Sequence, residues 1–113
     1  MAILSVSVAA GGDDGLWVED LSHFDNADGT LHAGHGGAPY GSMNAFMRFA
    51  VALDQGTTIN SASLDVVADA DRSSSGVRLK IRAVLAASPA APTTYSGAEN
   101  ATRTAAGVDW DIT

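Results

Sequence analysis

The sequence predicts an all-β protein built from short antiparallel strands. Almost every patterned segment alternates apolar and polar residues with a period of two, and none follows the helical period of 3.6. Glycine, proline, asparagine and aspartate separate these segments at intervals that suit about six to eight strands. Antiparallel sheets usually bury one face and expose the other, so the pattern indicates a sandwich or a barrel. The chain of 113 residues has no linker-like stretch, and we interpret residues 1–113 as a single domain.

The first half of the chain contains four short strand candidates. They are residues 3–8, 16–18, 30–33 and 43–49. In the first candidate Leu4, Val6 and Val8 alternate with serines, and in the last Ala45 and Met47 share one face. The segments between the candidates are rich in glycine and aspartate, which predicts turns and loops. These connections are residues 11–15, 20–29 and 34–42.

The second half contains the clearest alternation in the sequence. After a turn at residues 54–58, the predicted strands are 62–69, 77–85 and 108–112. We predict that 64–69 and 78–83 pair as a hairpin, because both faces then agree at once. In that register Asp69 lies opposite Arg78 and Asp65 lies opposite Arg82. The core side of the hairpin comprises Leu64, Val66, Leu79 and Ile81, which we predict to be buried.

Composition excludes several classes of partner. Hydrophobic residues make up 46% of the chain and charged residues 17%, which is typical of a folded protein. Six basic against thirteen acidic residues give a net charge of −7, so the surface repels phosphate backbones and anionic lipid. We therefore expect neither nucleic acid nor membrane as a partner. No cysteine is present, which leaves no disulfide or thiolate metal site.

The N-terminal residues predict a protein that is not exported through a signal peptide. Residues 1–6 have no basic region and no apolar stretch of sufficient length, and they run directly into a strand-like pattern. The expected site of synthesis is therefore a cytoplasm.

Two groups of side chains have the chemistry of a metal site. Carboxylates cluster between residues 13 and 28, and hard oxygen ligands suit calcium. The calcium candidates are Asp13, Asp14, Glu19 and Asp25. His23, His32 and His35 would form a zinc site only if a loop folded back, because their spacing matches no metalloenzyme. For both groups the sequence favours a solvated loop, and we expect no bound metal or other cofactor.

No motif predicts catalysis. The glycine-rich stretch 34–37 lacks the strand, nucleophile and helix that an oxyanion loop accompanies, and no Gly-x-Ser-x-Gly occurs. We therefore predict a protein that is not an enzyme. Trp17, Tyr40 and Tyr95 are candidates for a platform that stacks on sugars, although Trp17 and Trp110 are better interpreted as core or core-edge residues.

The order of the segments resembles a known family. The matching residues are 13–17, 44–49, 55–64 and 105–110. The chain is similar to the DNRLRE-like, carbohydrate-binding-module-like β-sandwiches of tailed-phage structural proteins and secreted bacterial proteins. This resemblance implies a jelly-roll-like sandwich. Such domains usually continue past the last matching strand, so we expect this sequence, which stops at Thr113, to be either a trimmed version or one part of a longer polypeptide.

Two functions follow as expectations. The first is a structural or binding module of a tailed-phage virion, such as a capsid decoration (cement) protein or a head- or tail-fibre component. It would be a homo-oligomer located in the virion, with other virion proteins such as a capsid lattice as partners. The alternative is a carbohydrate-binding module of a secreted bacterial protein, with surface glycans as ligands. The predicted contact residues are Ile3, Val6, Val8, His35, Pro39 and Tyr40.

Overall fold

The part of the chain that the structure describes is β-rich, with two antiparallel sheets and one short helix. The computed structural model describes residues 2–67 and 77–112, and strands make up 26% of these residues against 5% for helix. The elements are β1 (Asp14–Val18), β2 (His23–Asp25), β3 (Gly34–His35), β4 (Ser42–Met47), β5 (Val77–Ile81), α1 (Tyr95–Glu99) and β6 (Val108–Ile112). The predicted β class and its antiparallel pairing are confirmed.

The larger sheet is built around β1. Its strand order is β2-β1-β4-β3, so β1 has a neighbour on each edge. Asp14 and Gly15, which we predicted to lie in a turn, begin this strand because they pair with Met47 and Phe46 of β4. The predicted strands at 16–18 and 43–49 are therefore confirmed, with shifted ends.

One face of this sheet is aromatic and depends on a glycine. The rings of Phe24 on β2 and Phe46 on β4 are stacked, with centroids 5.8 Å apart. Gly15 lies beneath them on β1, where a Cβ atom would stand 2.7 Å from the Phe46 ring and 2.5 Å from the carbonyl oxygen of Asp25. The two rings meet because position 15 has no side chain.

Helix α1 covers Trp17, which is the next residue of β1 on the same face. The Trp17 indole Nε1 donates a hydrogen bond to Glu99 Oε2 over 2.5 Å, and the Arg103 guanidinium lies 5.4 Å from the Trp17 ring. Arg103 Nη2 also donates to the carbonyl oxygen of Ala98 over 2.7 Å. Thr94 caps the helix by accepting a hydrogen bond from the Gly97 amide. The sequence pattern does not predict this helix, since five residues are too few to show a period of 3.6.

The buried apolar core is small. Within the described residues it comprises Leu16, Trp17 and Val18 of β1 together with Ala98 of α1. The interpretation of Trp17 as a core residue agrees with its 7% exposure, whereas Trp110 is 38% exposed.

The smaller sheet, which we call the ribbon, pairs β5 with β6. The predicted hairpin between 64–69 and 78–83 is wrong over residues 64–67, which form no strand. Arg78 lies opposite Asp111 and Lys80 lies opposite Asp109, with nitrogen–oxygen distances of 2.8 Å and 3.2 Å. The cause of the error is that β6 carries the same alternation of apolar and acidic residues as 64–69. Asp69 lies outside the described residues.

Beyond β5 the ribbon continues as an irregular pair of segments that remain hydrogen-bonded through their backbones. Leu85 N donates to the Thr102 carbonyl over 2.8 Å, and Thr104 N donates to the Ala83 carbonyl over 2.9 Å. Gly107 allows the two segments of the ribbon to approach each other closely, because a Cβ atom there would lie 2.7 Å from the Ile81 carbonyl oxygen. The predicted strand 77–85 is thus regular over β5 and paired again around Val84.

Three predicted strands are wrong within the described residues, namely 3–8, 30–33 and the 62–67 part of 62–69. Each has a suitable alternation but no partner strand, and strand formation requires pairing. In contrast, β2 and β3 form in segments that we predicted to be turn and loop, because β1 and β4 supply their partners.

The predicted burial of the hairpin core is also wrong. Leu64, Val66 and Ile81 are 38%, 46% and 37% exposed, and Leu79 is half-buried. The reason is that residues 61–67 do not pack on β5 as a hairpin would require. The predicted exposure of Asp65, Arg78 and Arg82 agrees with the structure.

Candidate binding groove

The face of the larger sheet that lies opposite Trp17 forms one side of a groove. Leu16 of β1 pairs with Asp25 of β2, and Val18 pairs with His23 of β2 and Met43 of β4. Residues directly opposite each other in antiparallel strands share a face, so these five side chains project to the same side. The segment between β2 and β4 folds over this side and closes part of it.

The groove has a volume of about 440 Å³. Buried Leu16 and Val18, with half-buried Met43, form its floor. Two exposed residues, Leu21 and Tyr40, stand at its rim. The polar residues that line it are His23, Asp25, Asp28 and His32. An apolar floor with a few polar groups around it is typical of a site for a small amphipathic ligand.

Local turns position the polar lining. Asp25 Oδ1 accepts hydrogen bonds from the amides of Ala27 over 2.8 Å and Asp28 over 3.1 Å. Asp28 Oδ1 accepts from the Thr30 amide over 3.2 Å. These side-chain-to-backbone bonds turn the chain after β2 and carry it towards His32. Both carboxylates therefore serve the local backbone through Oδ1.

A second turn places Tyr40 at the rim. The Tyr40 amide donates to the Gly37 carbonyl over 2.9 Å, and the Gly36 amide donates to the Gly41 carbonyl over 2.8 Å. Gly41 has a φ of +57°, a conformation that glycine adopts without steric cost. The tyrosine ring is left 53% exposed beside the groove.

The structure separates the calcium candidates. Asp13 Oδ1 pairs with Arg48 Nη1 over 2.9 Å, Glu19 Oε1 accepts from Asn44 Nδ2 over 2.9 Å, and Asp25 holds the turn described above. Asp14 begins β1. Across residues 2–67 and 77–112, no three histidine, aspartate or glutamate side chains are grouped so that they could hold a metal ion.

The histidines are partly brought together. His23 and His32 both line the groove, while His35 lies on β3 and is exposed. The three therefore do not converge on one point. His23 and His32 supply the groove with two imidazoles, which act as hydrogen-bond donors or acceptors.

The predicted aromatic platform is divided between the two faces. Trp17 is buried on the side opposite the groove, and the Tyr95 hydroxyl lies 3.5 Å from the carbonyl oxygen of Glu19. Tyr40 alone of the three lines the groove. A sugar that bound here would therefore stack on one ring.

The predicted contact residues differ in exposure. Ile3 is 86% exposed, and His35, Pro39 and Tyr40 are also exposed. Val6 and Val8 are half-buried. Their role in contacts stays a prediction.

Sequence reasoning missed most of the groove. The run Leu16-Trp17-Val18 is continuously apolar, so alternation does not show which side chains share a face. Asp28 and His32 are separated from β1 by a loop whose path no periodicity reveals. The one available signal was Asp28-Gly29, which predicts the turn that brings this loop back.

Comparison of the chain with protein-family models, with curated proteins and with solved structures finds no match in any of the three. The resemblance to DNRLRE-like domains therefore stays a prediction. In the part of the chain that the structure describes, no helix has the length and apolar character needed to cross a membrane.

Proposed function

We propose that this chain is a non-enzymatic structural and binding module of a tailed-phage virion. In that role it is a repeated subunit, as a capsid decoration (cement) protein or as a component of a head or tail fibre. Its partners are copies of itself and neighbouring virion proteins. The proposal includes a jelly-roll-like sandwich, which is supported by the presence of two antiparallel sheets and by the approach of β3 to β5.

The observation that carries this proposal is the amount of apolar surface left in contact with water. Among the described residues fifteen large hydrophobic side chains are at least 37% exposed, whereas four apolar side chains are buried. The Cα radius of gyration of 15.0 Å exceeds the value of about 13 Å that is typical of a compact domain of this length. So many exposed large apolar side chains beside so few buried ones support a contact with another molecule.

A virion provides such contacts. Neighbouring copies in a lattice or fibre cover apolar patches and open strand edges that a free monomer would leave exposed. The family that the sequence resembles includes structural proteins of tailed phages, and this resemblance supports the choice of a virion over other assemblies.

The test compares two kinds of partner for the purified chain. We expect saturable binding to empty phage capsids or fibres and no specific signal on a glycan array. Ile3→Ser removes an apolar side chain that is 86% exposed, so it should weaken capsid binding without lowering stability. Ser5→Ala, also at an exposed position in the same segment, is the matched control. Saturable sugar binding without capsid affinity, together with a monomeric mass, would refute the proposal.

The groove favours a second candidate, a carbohydrate-binding module. Tyr40 offers an exposed ring, and Asp25 and Asp28 offer carboxylate oxygens beside it. For this function Tyr40→Ala should abolish glycan binding, whereas Tyr95→Phe should leave it unchanged because Tyr95 does not line the groove. Equal affinity of the two variants for a glycan would exclude the groove as the sugar site.

A further inference from the structure

We propose that copies of this chain associate head to tail through the ribbon. The outer edge of β6 in one copy pairs antiparallel with the outer edge of β5 in the next. This inference rests on the proposed function, because it names the surface through which repeated subunits meet. The occupant of each edge is therefore a second copy of the same chain.

The two strands of the ribbon carry opposite charges on one face. Arg78 and Lys80 project from β5, and Asp109 and Asp111 project from β6 on the same side. The other side is apolar, with Ile81 37%, Trp110 38% and Val108 66% exposed. The ribbon thus has a basic strand, an acidic strand and an apolar face that is only partly covered.

Among the described residues, each strand of the ribbon has one edge without a neighbouring strand. Within residues 2–67 and 77–112, β5 and β6 are hydrogen-bonded only to each other as strands. The outward amide and carbonyl groups of such edges are a template for a further strand. β3 contacts β5, but it is two residues long and can flank only part of the five-residue strand.

Pairing between identical strands is opposed by charge. If β6 paired antiparallel with β6 of a second copy, every register that keeps the apolar faces together would set an aspartate opposite an aspartate. If β5 paired with β5, Arg78 would face Lys80 or another Arg78. Like charges directly opposite in a sheet are destabilising, so a two-fold symmetric edge contact is disfavoured.

Pairing between β6 and β5 of the next copy has the opposite property. It repeats the register that already exists inside the chain, with Asp111 opposite Arg78 and Asp109 opposite Lys80. Basic and acidic residues then alternate across the extended sheet, and the apolar faces become continuous. The hydrogen-bonding groups also match, because a pair that is bonded within the chain is a non-bonded pair in the new ladder.

This geometry determines the symmetry of the assembly. A contact between two different edges is heterologous, so the copies form a ring if the rotation closes and a filament if it does not. A simple two-fold dimer is not expected from this surface.

A variant with four charge reversals tests the proposal. The variant Arg78→Asp, Lys80→Asp, Asp109→Lys and Asp111→Arg restores both ion pairs within the ribbon with their signs reversed. It should fold and self-assemble as the original chain does. When the two chains are labelled differently and mixed, their edges are like-charged. We expect mixed assemblies to form with about tenfold lower affinity than either pure assembly.

The other outcomes contradict specific parts of the account. Free mixing of the two chains would overturn the head-to-tail contact while leaving assembly intact. Preferential mixing would indicate contact between identical strands, and it would also overturn the proposal. If both chains remained monomeric at every concentration and did not assemble on capsids, the proposed function itself would be refuted.

A milder variant tests the proposal if the variant with four charge reversals does not fold. Asp109→Asn with Asp111→Asn keeps the shape of β6 and removes its charge. It should weaken self-association and reduce the dependence of association on salt. The control is Asp65→Asn, which removes an exposed carboxylate outside the ribbon. Unchanged self-association of the β6 variant would contradict the proposal.

Discussion

The larger sheet and the ribbon are stabilised in different ways. In the larger sheet, β1 is paired on both edges and its residues Leu16, Trp17 and Val18 are buried. In the ribbon the described residues pair each strand on one edge, and Val108 and Trp110 are 66% and 38% exposed. The ribbon instead has an ion pair at each of two successive charged positions.

This difference shows what determines strand pairing in each region. Burial of apolar side chains contributes about 1.5–3 kcal/mol for each large residue, and so dominates around β1. Exposed ion pairs contribute about 0.2–1 kcal/mol each, so in the ribbon they specify register more than they add stability. We therefore expect the larger sheet to be the stable part of the protein and the ribbon to be the adaptable part.

The largest effect is expected for Trp17→Ala. It removes a side chain that is 7% exposed, the hydrogen bond to Glu99 and the contact with Arg103. The free energy of unfolding should fall by about 3–5 kcal/mol, as measured by denaturant unfolding. Trp110→Ala is the matched control in the ribbon and should cost clearly less. Equal losses would show that the two regions do not differ in packing.

The next effect is steric and concerns Gly15→Ala. The added methyl group would meet the Asp25 carbonyl oxygen and the Phe46 ring within 2.7 Å. The strands must move apart, which should lower the free energy of unfolding by about 1–3 kcal/mol. Gly29→Ala serves as the control, since no atom lies within 4 Å of its added Cβ. If Gly15→Ala were as stable as the control, the stacking of Phe24 on Phe46 above Gly15 would be wrong.

The sequence predicted elements where alternation and pairing both exist. It indicated the β class, the strands at β1, β4, β5 and β6, and the exposed basic face of β5. It did not identify which acidic strand pairs with Arg78 and Lys80, because residues 64–69 and 108–112 carry the same pattern. Period-two alternation describes what a strand would bury, but the partner depends on chain path and competition among strands.

Most of the groove could not be predicted from the sequence, for a related reason. Its floor comes from β1 and β4, while its polar lining comes from β2 and the loop that follows. The side chains meet only because Asp25 and Asp28 fold that loop back over the sheet. Tyr40 was a candidate for sugar stacking and does line the groove, whereas Trp17 could not be assigned to a face from its apolar neighbours.

A smaller effect is expected from the ion pairs of the ribbon. A double-mutant cycle with Arg78→Ala and Asp111→Ala should give a coupling energy of about 0.2–1 kcal/mol, which decreases at high salt. Both side chains are well exposed, at 78% and 56%. The same cycle with Arg82 and Asp65, which the predicted hairpin would set opposite each other, should give no coupling, because residues 61–67 form no strand. Coupling between Arg82 and Asp65 would instead support the predicted hairpin.

The smallest effect is expected for calcium. Asp13 is paired with Arg48, and Glu19 accepts a hydrogen bond from Asn44, so the candidate ligands are engaged elsewhere. Millimolar calcium or a chelator should leave the Tm unchanged. A rise of several degrees with calcium that a chelator reverses would show that the acidic residues form a site after all.

The most direct test of the central claim is amide hydrogen exchange at increasing protein concentration. The account predicts that β1 is protected at every concentration, because both of its edges are paired within the chain. The outer-edge amides of β6 should exchange rapidly in dilute protein and become protected as copies associate. Exchange of β6 that is independent of concentration, in a protein that remains a monomer of 11.5 kDa, would contradict the account.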